Sequence, residues 1–283
     1  MQSAMYSIQE LPDDFRKLGI RAGDTVILHA SVRAVGEVAG GPDAIHLALK
    51  SVLTPEGTLM MYASCPRCYD EVGRGNLTAE QEREIREKLP VFDPLTARSA
   101  RDNGALVELL RTYPDSRVNP HVARFVFWGK QTEHLMSIQP WNYALGSDSP
   151  LERFLMLDGK IVLLGSDHDA VTFLHYVEHV AEIPAKRVAR YEVPIMQEGH
   201  RVWRGEEFDT SGDGVHANWP DRFFAKIVDM LLTKTRNNGA QVGSAMTYML
   251  SARELLEFAM PLMKAVAADP LAADSLREAG IRS

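Results

Sequence analysis

Two short apolar runs decide the fold class: Thr25-Val26-Ile27-Leu28-His29 and Thr58-Leu59-Met60-Met61-Tyr62. Both are strand-length and bounded by turn signals, which suits strands buried on two faces. Between them lie a glycine-punctuated loop at 30–41, a helical pattern at 42–52 and the turn Thr54-Pro55-Glu56-Gly57. Strand, loop, helix, turn and strand in that order make the βαβ rhythm of parallel sheets. An amphipathic helix at 8–18 precedes the first run.

Downstream the rhythm lapses. Residues 64–119 carry a charged helical run at 78–88 closed by Pro90, and a second near 104–111 closed by Pro114. We expect this stretch to be an inserted helical section that caps the sheet or flanks a cleft. Strands return from Ala123. Gly159-Lys-Ile-Val-Leu-Leu-Gly165 reads as a buried strand, and a helix is predicted at 169–182, stopping before Pro184. A hairpin is expected around Glu198-Gly199-His200, then helices at 223–232 and 252–265. The expected architecture is α/β: a mixed, partly parallel central sheet flanked by helices, in one domain over 1–283.

Composition sets bounds on partners. With 45% hydrophobic and 24% charged residues the chain is globular rather than disordered, and a net charge of −7 disfavours nucleic acid and anionic membranes. Apolar stretches such as 161–164 are far too short to span a bilayer. Met1–Glu10 lacks a basic start and an apolar core, so no secretory signal is expected and the location is read as cytoplasmic. Cys65 and Cys68 read as two free thiols, because a zinc site would want a second pair.

Chemistry concentrates in Leu164-Gly-Ser-Asp-His-Asp-Ala-Val-Thr-Phe-Leu-His-Tyr-Val-Glu-His179, which runs from a strand end into a helix. On one helix, His168, Thr172, His175 and His179 would share a narrow stripe. A histidine there suits base catalysis on an amine or hydroxyl, and needs a carboxylate to fix its tautomer. The acidic stretch Gly205-Glu-Glu-Phe-Asp-Thr-Ser211 could supply one. His175-x-x-Glu178-His179 also fits the inverted zinc-peptidase motif, which would need a distant third ligand such as Glu254 or Glu257. The loop from His29 to Gly41 is a candidate phosphate cradle that matches neither the Walker nor the dinucleotide fingerprint.

These pieces together resemble the aminoglycoside 3-N-acetyltransferase family. The matching blocks are His29-Ala-Ser-Val-x-x-Val-Gly with Gly40-Gly41, Pro55-Glu-Gly-Thr-Leu59, Phe92-Asp-Pro94, Gly146-Ser-Asp-Ser-Pro-Leu151, Leu157-Asp-Gly-Lys160, the histidine block, and Glu206-Glu-Phe-Asp-Thr-Ser211. They cover about residues 8–260 in order. Ala30, Asn119-Pro120, Gln139-Pro140 and Val171 depart from the pattern. The resemblance implies the antibiotic N-acetyltransferase fold, not the GCN5-like one, with acetyl-CoA as donor. The implied acceptor is the 3-amino group of a 2-deoxystreptamine aminoglycoside.

Carried over residue by residue, the resemblance makes His175 the base, supported by Asp209 or else Glu207. It places the Thr172 hydroxyl near the thioester and Ser31, Val32 and Arg33 at the cofactor. His168, Asp169 and Glu178 are assigned to the acceptor site, where the acidic Asp70 and Glu71 of the inserted section would also draw a polycationic sugar. No metal is expected. A monomer or homodimer is compatible with all of this. The alternatives are an acyltransferase of the same fold acting on another amine, the zinc peptidase, and a non-catalytic CoA- or aminoglycoside-binding protein.

Overall fold

The chain alternates between helices and strands whose order makes three layers. A computed structural model describes residues 5–209, 215–269 and 272, with the backbone alone at Phe208 and Asp209. From the N-terminus the elements are β1 (Met5–Tyr6), α1 (Glu10–Leu18), β2 (Thr25–Ala30), α2 (Val32–Val35), β3 (Glu37–Val38), α3 (Asp43–Leu53) and β4 (Thr58–Tyr62). The inserted section contributes α4 (Ala79–Lys88), α5 (Ala105–Thr112) and β5 (Arg117–Val118). Then come β6 (Phe125–Gly129), α6 (Thr132–Met136), α7 (Pro150–Met156), β7 (Lys160–Leu164) and α8 (Phe173–Val180). The hairpin β8 (Val188–Gln197) and β9 (His200–Asp209) precedes α9 (Phe223–Thr235), β10 (Ala240–Val242), β11 (Ala245–Ser251) and α10 (Ala252–Ala268).

Seven strands form a mixed sheet in the order β10-β11-β7-β2-β4-β6-β5. Its centre, β7-β2-β4, is parallel, and the outer strands pair antiparallel. The expected mixed, partly parallel sheet is therefore present. Its central strands are apolar throughout because both faces are covered. Alternation sorts them: Val26, Leu28, Leu59, Met61, Val162 and Leu164 pack with α1, α3 and α5. Ile27, Met60, Ile161 and Leu163 pack against α7 to α10 on the opposite face. A smaller cluster of Cys65, Tyr69, Phe92, Val122, Tyr191 and Val193 joins the inserted section to the hairpin.

Buried Arg124 fastens that section further, donating to the backbone carbonyls of Ala63, Pro94, Ala97 and Arg98. The hairpin has 10 residues in each strand and closes through Glu198 and Gly199, both at positive φ. That is the two-residue geometry whose twist suits a hairpin. No helix among the described residues is long and apolar enough to cross a membrane.

The predicted helix over 169–182 is shorter. A 3-10 turn occupies His168–Ala170 and α8 starts only at Phe173. The reason lies in α9, whose preceding residue Arg222 is left-handed and offers no side-chain cap. The Asp169 carboxylate instead accepts from the Ala225 N–H at 3.0 Å, capping α9 from a distance. Drawing Asp169 to α9 breaks the regular helix that the histidine stripe assumed.

Candidate active site

At the C-terminal ends of β2 and β4, residues 29 and 62 continue the faces of Ile27 and Met60, the side that carries α8. Ligand sites in open α/β sheets lie at such strand ends. A cavity of about 1080 Å³ opens there, walled by Tyr62, Asp70, Glu71, Asp102, His175 and Glu206 among others. A smaller one of about 100 Å³, lined by His29, Ser166 and Thr172, shares Tyr62, Asp102 and Asn103 with it.

His175 stands on the first turns of α8 with its ring edge against Phe224. Its Nδ1 lies 2.6 Å from Oε2 of Glu178, three residues on and on the same helix face. Glu178 is 1% exposed. A carboxylate at Nδ1 holds the proton on that nitrogen and leaves Nε2 able to accept another. Glu178, expected at the acceptor, thus sits behind His175, a carboxylate on the imidazole among the described residues. Glu207, weighed for that place, accepts from Arg190 Nε at 2.6 Å and from the Tyr143 hydroxyl at 3.5 Å. The Asp209 side chain lies outside the described residues.

His168 and Asp169, also expected at the acceptor, line neither cavity. The break before α8 turns both toward α9, His168 bonding Asp229 at 2.6 Å through Nδ1 and Asp169 acting as the cap. Thr172 is buried in the wall of the small cavity. Ser31 caps α2, accepting from the Ala34 N–H at 3.3 Å. With Val32 and Arg33 it follows Ala30, which lines the small cavity, but the three line neither. Gly165 lets α2 approach this closely: its φ is +58° and a Cβ would collide with the Ala34 methyl.

Asp70 and Glu71 do line the large cavity, paired with Arg74 at 2.8 Å and Arg67 at 3.2 Å. His179 donates from Nδ1 to the His175 carbonyl at 2.6 Å. Among the described residues no three His, Cys, Asp or Glu side chains are grouped to hold a metal ion. Burial pushes the thiols of Cys65 and Cys68 up, away from the reactive thiolate.

Two wall residues had no separate signal in the sequence. Glu206, opposite Tyr191 across the hairpin, accepts from the Tyr191 hydroxyl at 2.6 Å and is 1% exposed. Burial, above all, raises its carboxyl to about 8. His121 lies 3.9 Å away. That contact is no ion pair, because burial lowers His121 to about 4, and its Nε2 donates to the Trp141 carbonyl. The other is His29, buried on β2, whose imidazole is lowered to about 4 by burial and then by nearby His175.

Glu206 has a measurable consequence for stability. Its folded pKa of about 8 exceeds an unfolded value of about 4.3, so the folded state keeps a proton that the unfolded state loses. The contribution is complete below about pH 4.3 and lost as pH rises toward 8. Glu206→Gln, which resembles the protonated form, should therefore gain Tm relative to the unsubstituted protein between pH 5 and pH 8. A thermal-denaturation series showing a constant Tm difference would refute this.

A family profile described as aminoglycoside 3-N-acetyltransferase matches residues 27–264. The chain belongs to the aminoglycoside 3-N-acetyltransferase family. A Pseudomonas aeruginosa relative, aminoglycoside N(3)-acetyltransferase III, is 39% identical over 88% of this chain and 90% of its own. A solved structure of AAC-IIIb in a binary complex with CoASH superposes with a TM-score of 0.86 at 33% identity, covering 93% of this chain and 97% of that one. A sisomicin-bound AAC-VIa structure gives 0.85 at 33% identity, over 93% and 99%. This is an acyltransferase family, and its fold is the one found here.

Proposed function

We propose that this chain transfers the acetyl group of acetyl-CoA to the 3-amino group of a 2-deoxystreptamine aminoglycoside, without an acyl-enzyme. The observation that carries this reading is His175, backed by Glu178, in the wall of a cavity that Asp70, Glu71, Asp102 and Glu206 line alongside Arg67, Arg74, Arg187 and Arg190. The acceptor amine attacks the thioester carbon, and Nε2 of His175 takes its proton as the C–N bond forms. Glu178 holds the ring and offsets the imidazolium charge. The tetrahedral species then expels the thiolate of CoA, which recovers the proton. The raised thiols of Cys65 and Cys68 favour this direct route over a cysteinyl intermediate.

Glu206, Asp70, Glu71 and Asp102 suit a polycationic sugar. An ammonium group beside Glu206 would displace the carboxyl proton and take its place as partner. The co-substrate's thioester end would lie toward Thr172, with Ser31, Val32 and Arg33 beyond. The reaction needs no metal, and the natural setting is the cytoplasm, with a small cationic sugar rather than nucleic acid or membrane as partner. The monomer or homodimer expected from sequence fits this reading.

The test measures CoA release with a thiol reagent across a panel of amines and locates the acetyl group by NMR. Acetylation at the 3-amine is expected, with acceptor KM rising with ionic strength more than the KM of anionic acetyl-CoA. Absence of CoA release with every aminoglycoside, or acetylation at another ring position, would overturn it.

A further inference from the structure

The small cavity holds two polar groups that the reaction above leaves unused. Nε2 of His29 and Oγ of Ser166 are both buried and, among the described residues, without a hydrogen-bond partner, and both residues line it. Leaving a buried donor unpaired is costly, so two around one space of about 100 Å³ point to a polar atom that they bind. Their placement is set by the sheet. β2 and β7 run parallel with His29 opposite Leu163, and Ser166 follows two residues beyond the end of β7. The alternation that carries Ile27 to the α8 side brings His29 there too, close enough to His175 for their charges to interact.

We propose that the side chains of His29 and Ser166 form the hydrogen-bonding recess for the thioester carbonyl oxygen of acetyl-CoA. This rests on the acetyl-transfer reading. As the amine nitrogen bonds to the carbonyl carbon, the C=O electron pair moves onto oxygen, and the imidazole N–H and the serine hydroxyl donate to that oxyanion. When C–S breaks, the pair returns to the carbonyl and the sulfur leaves with the C–S electrons, then takes the proton held on His175. His29 stays neutral throughout, because burial and the imidazolium forming on His175 both oppose its protonation. It therefore donates without competing for the substrate proton. Thr172, Asn103 and Asp102 line the same space.

His29→Ala, His29→Gln and Ser166→Ala test the assignment in the full-length enzyme, with folding checked by circular dichroism. Removing one such donor lowers kcat by about 10²-fold, which is expected for His29→Ala with both KM values nearly unchanged. His29→Gln, which offers a neutral amide N–H, should recover much of that loss. Ser166→Ala should lower kcat in the same selective way and carries the test if His29→Ala does not fold. Folded variants with unchanged kcat would overturn the proposal. So would a higher acetyl-CoA KM at unchanged kcat, or a kcat loss that glutamine does not relieve, since these mark ground-state binding or packing. An inactive unsubstituted enzyme would instead remove the acetyl-transfer reading on which the proposal rests.

Discussion

His175→Ala is expected to lower kcat by about 10²- to 10⁴-fold, with the fold and acetyl-CoA binding intact. Among the described residues His175 is the one imidazole in the large-cavity wall, and the substitution removes it. Its neighbours Leu174 and Val177 stay buried in the core on the inner face of α8, so the helix keeps its anchors. The developing ammonium then loses its proton to water, from outside the cavity and without Glu178 behind it. Initial rates of CoA release and circular dichroism settle the matter together. His168→Ala and His179→Ala serve as controls, since His168 is bonded to Asp229 and His179 to a backbone carbonyl. A folded His175→Ala enzyme with near-normal kcat would place the base elsewhere.

The legible parts of the fold are those fixed by local pattern. The central strands stand out because burial on both faces demands unbroken apolar runs, and β4 spans the expected residues, Thr58–Tyr62. The hairpin turn was legible from Glu198-Gly199. The start of α8 was not, because it depends on α9, some fifty residues away, needing Asp169 as its cap. β11 shows no clean alternation and acquires strand structure by pairing with β7. The same division holds at the site. Spacing drew attention to His175 and Thr172, while the Glu178 carboxylate on His175 Nδ1 lies only three residues along the same helix. His29 and Glu206 needed the sheet and hairpin registers before their burial had meaning.

Glu178→Gln is the substitution that separates the carboxylates considered for the base. Glutamine keeps the shape of a residue 1% exposed but removes the charge that holds Nδ1–H and offsets the imidazolium. With a neutral amide, nothing enforces the tautomer that leaves Nε2 unprotonated, and the charge forming on half-buried His175 loses the carboxylate that offset it. In the serine-protease triad the equivalent change costs about 10⁴-fold, so a fall of about 10²-fold or more in kcat is expected, with KM for acetyl-CoA little altered. Glu207→Gln should cost far less, because that carboxylate ties Arg190 to the hairpin edge. Asp209→Asn completes the comparison. Were Asp209→Asn to abolish turnover while Glu178→Gln retained it, the supporting carboxylate would be Asp209 and the 2.6 Å contact would only shape the helix.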